Sequence, residues 1–60
     1  MKIISLIDIH DKKVIVFINQ ITYLYQVDEN ITTIFFNDNN YIDIKRNIND
    51  LLMSIYCILD

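Results

Sequence analysis

The chain predicts a small α+β domain, an antiparallel sheet of four or five strands followed by one C-terminal amphipathic helix. Three observations carry this. Apolar residues alternate at period 2 up to about Lys45, clusters of Asp, Asn and His interrupt that alternation, and the period changes to that of a helix over the last dozen residues. All 60 residues form one domain, 1–60, because nothing in the composition marks a linker.

The strands follow in order. "KIISLIDI" (Lys2 to Ile9) reads as the first, with "HDKK" (His10 to Lys13) as its turn. "VIVFI" (Val14 to Ile18) is β-branched and almost wholly apolar, as a central strand would be. After a break at Asn19 and Gln20, "ITYLYQV" (Ile21 to Val27) gives the third. "DEN" (Asp28 to Asn30) then turns into "ITTIFF" (Ile31 to Phe36), and "NDNN" (Asn37 to Asn40) into "YIDIK" (Tyr41 to Lys45). No glycine or proline is present to make these corners. Asp and Asn are the residues left, since they tolerate positive φ and bond their own backbone in turns.

Ile48, Leu51, Leu52, Ile55, Tyr56 and Leu59 recur at helical spacing. With Ile58 they span an arc of roughly 160°. Asn47 is the expected N-cap, and Asp50 puts negative charge in the first turn, where the helix dipole favours it. A helix of about 12 residues is marginal in water by itself, so it must lie on the sheet. In the second strand Val14, Val16 and Ile18 oppose Ile15 and Phe17, and in the fourth Ile31 and Phe35 oppose Ile34 and Phe36. One helix covers one face. The other apolar face, with Tyr23, Tyr25, Phe35, Phe36 and Tyr41 as candidate anchors, is expected to meet a partner, most simply a second copy of the chain.

Size argues the same way. A chain of 60 residues buries only about 60% of its unfolded surface and commonly leans on disulfides, metal or oligomerisation. The single cysteine, Cys57, excludes an internal disulfide, and Cys57 with His10 falls short of the ligands a closed zinc site requires. Self-association remains. The apolar fraction of 53% is also more than one small core needs. Its load of Ile, Asn, Lys, Asp and Tyr is what an AT-rich genome would encode.

Chemistry by a built site is not expected. "DIHD" (Asp8 to Asp11) sets a histidine between carboxylates, yet no second histidine completes a metal or catalytic set, so it reads as a solvated hairpin corner. Cys57, Ser5 and Ser54 lack a base and an orienter, which argues against covalent catalysis. A phosphate-cradling loop requires glycine. Counting from Asp38, the calcium-loop pattern fails at its sixth position, Asp43, and its twelfth, Asn49. No enzyme activity and no cofactor are therefore expected.

Net charge is −3, and Lys2, Lys12, Lys13, Lys45 and Arg46 form no continuous stripe, so nucleic acid is a poor partner. The aromatic strand residues could stack on single-stranded bases, but that mode needs a basic groove. "LLMSIYCIL" is far shorter than the roughly 20 residues that span a bilayer. No signal-peptide pattern follows Lys2, which with the lone thiol points to the cytoplasm. Without secretion the sequon at Asn30-Ile31-Thr32 carries no meaning.

The succession "VIVFINQITYLYQV", "ITTIFF", "YIDIK" and "NINDLLMSI" resembles the short FlbD/SwrD-like flagellar and swarming-motility proteins, over Ile3 to Ile55. Those proteins run through a small hairpin, an Ile-Asn segment, a threonine-rich strand, a second hairpin and a terminal helix. They commonly carry Asn-Gly in the hairpins and proline after the asparagine, where this chain has His10-Asp11, Asn39-Asn40 and Gln20. The resemblance implies an accessory role in motility and brings no catalytic residues. The function expected is that of a homo-oligomeric protein that binds another protein. The alternative is a small acidic inhibitor of a host protein, encoded by a phage or mobile element.

Overall fold

A computed structural model describes residues 2–60. Five strands and a helix follow the expected order: β1 (Ile3–Ile7), β2 (Lys13–Phe17), β3 (Ile21–Asp28), β4 (Ile31–Phe36), β5 (Tyr41–Ile44) and α1 (Ile48–Leu59). A short 3₁₀ turn, Ile18–Gln20, links β2 to β3. Ile18, expected at the end of a strand, is therefore in that turn, but its side chain keeps the inward phase of Val14 and Val16 and is buried.

The strands form two antiparallel sheets and not one. β1 pairs with β2, while β3, β4 and β5 form a three-stranded sheet with β4 in the centre. One isolated bridge, Asp8 to Ile44, ties the hairpin to β5. It is flanked by Ile9 N–H on the Asp43 carbonyl and Lys45 N–H on the Ile7 carbonyl. The split has a packing reason. Ile4, Leu6 and Val16 of the hairpin share one buried cluster with Ile34 and Ile44 of the larger sheet and with Leu51 and Ile55 of α1. The hairpin thus folds over the inner face of β3–β5 and shares that cover with the helix, which a flat five-stranded sheet could not do.

The packed stripe of α1 is narrower than its apolar arc. Leu51 and Ile55 are buried and Ile58 packs against the core, whereas Leu52, Tyr56 and Leu59 are exposed beside Met53. Asn47 caps the helix by accepting from Asn49 N–H at 2.8 Å, and its side-chain amide donates to the Glu29 carbonyl at 2.8 Å. The cap therefore also fastens the helix to the β3–β4 turn. Thr32, fully buried on the inner face, donates to the Arg46 carbonyl at 2.9 Å and so satisfies the connection between β5 and α1. The Arg46 guanidinium runs on to the Asp50 carbonyl and to Ser54 Oγ.

The two corners that need positive φ are made as the composition requires, by Asp11 (62°) and Asn39 (68°). Asp8, Asp28 and Asp38 each accept a backbone N–H two residues on, so all three hairpin turns carry an acidic side chain bent back on its own backbone.

Candidate protein-binding face

β4 places Phe35 on the outer face of the three-stranded sheet, because Ile34 must point inward and successive strand residues alternate. In the pairing register Tyr23 lies opposite Phe35 on one side and Tyr41 on the other. The rings of Tyr23 and Phe35 stack with centroids 4.4 Å apart and planes 13° from parallel. Those of Phe35 and Tyr41 lie 5.7 Å apart, tilted by 35°. Both separations fall in the range where aromatic pairs attract. The result is a three-ring row across the sheet, with both tyrosines more than half exposed.

The adjacent row on that face is Tyr25, Thr33 and Asp43. Thr33 is only 5% exposed and donates to Asp43 Oδ1 at 2.6 Å, while Tyr25 remains open to solvent. Of the five anchors expected from sequence, Tyr23, Tyr25, Phe35 and Tyr41 thus occupy one surface. Phe36 lies on the opposite face, partly buried against the core, for the same alternation that puts Phe35 outside.

A second apolar surface was not among the expected anchors. On the hairpin's outer face Ile3 pairs with Phe17 and Ser5 with Ile15, and Ile3, Ile7, Ile15 and Phe17 are each close to half exposed. The opposition of Ile15 and Phe17 to Val14 and Val16 carried this signal in the sequence. It needed the fact that the hairpin turns its Val face, and not this one, onto the core.

The carboxylates nearest His10 are already engaged within the chain. Asp8, His10, Tyr41 and Asp43 line one shallow depression. Its Asp43 carboxylate accepts from Thr33, and its Asp8 Oδ1 accepts from the backbone N–H of His10 at 2.8 Å and of Lys12 at 2.9 Å. The Lys12 N–H foremost, and then that of His10, hold the Asp8 carboxyl below the usual carboxylate range. Among the described residues no three His, Cys, Asp or Glu side chains gather where they could hold a metal ion, and Cys57 is a free, exposed thiol. Among the same residues no helix is long and apolar enough to cross a membrane. No family model matches the chain, and no match is found among the curated proteins or the solved structures.

Proposed function

We propose that this chain is a non-enzymatic, cytoplasmic accessory protein that self-associates and binds another protein through the aromatic face of β3–β5. The Tyr23–Phe35–Tyr41 row supports the reading most strongly. Large, stiff side chains with polar tips give contact area at little entropic cost, the profile of interface anchors. Their mutual stacking holds them in place before a partner arrives, which lowers the ordering cost of binding. The negative balance and scattered lysines favour a protein over a nucleic acid as that partner. A role in motility rests on the family resemblance alone.

A photo-reactive residue tests the face directly. Placed at Tyr41, it is expected to form adducts with a second protein in the source cells, while the same residue at Asn49 on the exposed side of α1 forms none. Equal labelling from both positions would contradict the assignment.

A further inference from the structure

The two sheets end in free edges of different character. β3 pairs only with β4, and its register is broken at Ile21/Tyr23 and again at Gln26/Asp28. Such irregularities twist an edge out of line and blunt it against further pairing. β2 pairs only with β1, through five consecutive partners without a break, and its sequence "KVIVF" offers one charge, at its start, and no proline. It is an undefended edge.

Its hydrogen-bonding phase can be read from the ends of the hairpin. Ile18 N–H donates to the Lys2 carbonyl and Asp8 N–H to the Lys12 carbonyl. In an antiparallel ladder such pairs alternate, so Val14 and Val16 bond inward to β1. The N–H and C=O groups of Lys13, Ile15 and Phe17 face outward.

We propose that β2 adds to β2 of a second copy, antiparallel about a two-fold axis through Ile15. In that register Ile15 opposes Ile15 and Lys13 opposes Phe17, and each is a pair whose outward groups can exchange N–H···O=C bonds. The side chains agree with this. A cleft of about 320 Å³ runs beside this edge, lined by Val14 to Phe17 of β2 together with Phe36 and Ile42 of the larger sheet. The partner's half-buried Val14 falls on the inner face beside it, while Ile15 meets Ile15 on the outer face.

Charge selects a second copy over an arbitrary strand. The Gln20 carbonyl accepts from Asn37 N–H, which sets the β4–β5 turn, and Asp38 with it, at the C-terminal end of β2, where Asp38 lines the cleft. Antiparallel pairing brings the partner's Lys13, with Lys12 just before it, to that same end. Among the described residues the one ion pair is Lys45 with Asp11, which leaves Asp38 without a cation until a partner supplies it. The inference rests on the self-associating part of the proposed function and leaves the aromatic row free for a different protein.

NMR-detected amide exchange tests it on the unaltered chain. Exchange at Lys13, Ile15 and Phe17 is expected to slow about tenfold or more from dilute to concentrated protein, as mass action populates the pair. Ile15→Pro removes an N–H that the hairpin ladder does not use, and should abolish that slowing at Lys13 and Phe17. Asp38→Lys should weaken association about tenfold, and adding Lys13→Asp should restore it. Association that leaves these three amides in fast exchange would overturn the β2 pairing while sparing self-association itself. A chain that never associates would overturn both. The aromatic-face reading stands or falls separately, on the Tyr41 adducts.

Discussion

The outer faces of the two sheets both expose large apolar side chains and manage them differently. On β3–β5 the exposed groups are rings that stack on one another, the row beneath them is closed by the Thr33–Asp43 hydrogen bond, and the free edge is interrupted. On β1–β2 the exposed groups are chiefly aliphatic, with Phe17 the one ring, and the free edge is unbroken. The larger sheet satisfies much of its own outer face and can present it to a partner without collapsing onto it. The hairpin satisfies only its inner face. The same composition therefore gives one surface suited to recognition and one suited to strand addition.

Substitutions in the core shared by both sheets should cost far more than those on either outer face. Ile34→Ala removes a side chain with no exposure, packed between both sheets and the helix. Such truncations cost about 2–5 kcal/mol, comparable to the whole stability of a domain this small. Urea titration should find the variant largely unfolded, with Ile34→Val folded but weakened by about 1 kcal/mol. Ile15→Ala, on the outer hairpin face, should cost the dilute chain no more than about 1 kcal/mol.

Asn47 joins the two halves of the account, since its one side chain both caps α1 and holds the β3–β4 turn. Asn47→Ala should destabilise by about 1–2 kcal/mol in the same titration. Asn47→Asp keeps the capping oxygen but replaces the amide donor with an oxygen that cannot bond the Glu29 carbonyl, so it should fall between that variant and the parent. Stability equal to the parent in Asn47→Asp would mean that the turn contact contributes nothing, and losses equal to those of Asn47→Ala would mean the same of the cap.

At the corners, Asn39→Ala places a Cβ without a compensating amide at φ 68° and should cost about 1 kcal/mol. Asn39→Gly should be neutral or slightly stabilising, and thermal melts distinguish the two.

The smallest expected effect is a pH dependence from Asp8. Its folded carboxyl titrates below the usual range because the Lys12 and His10 N–H groups bond the charged form. The unfolded chain therefore binds the proton first as pH falls. The stabilisation is complete above the unfolded value and is lost as pH drops through the folded one. Acid titration of stability should show this loss in the parent chain and not in Asp8→Asn, and identical profiles would contradict the turn's role.

Much of this fold was legible in the residues. β4 falls where "ITTIFF" predicts it, α1 has the expected cap and length, and the positive-φ corners lie at Asp and Asn for want of glycine. Local periodicity carries the strand and the helix, and the turn and cap preferences of Asp and Asn carry the rest. The division into two sheets was not legible, because it depends on Asp8, just past β1, meeting β5 at one bridge only, a long-range pairing that alternation does not encode. The second apolar surface is hidden from the sequence for the same reason: strand phase shows that Ile15 and Phe17 oppose Val14 and Val16, but not which side the core will take. Phe36 shares the residue type of the candidate face, but its phase against Phe35 places it opposite. The exposed back of α1, with Leu52, Tyr56 and Leu59, shows that an apolar arc can exceed the stripe two strands can cover.

The central claim is that apolar outer faces on so small a domain exist to be covered. Sedimentation equilibrium of the unaltered chain at tens of micromolar, the ordinary working range, tests it most directly. A mass above that of one 7.2 kDa chain, rising with concentration, is the predicted result. A monodisperse monomer across that range would contradict it.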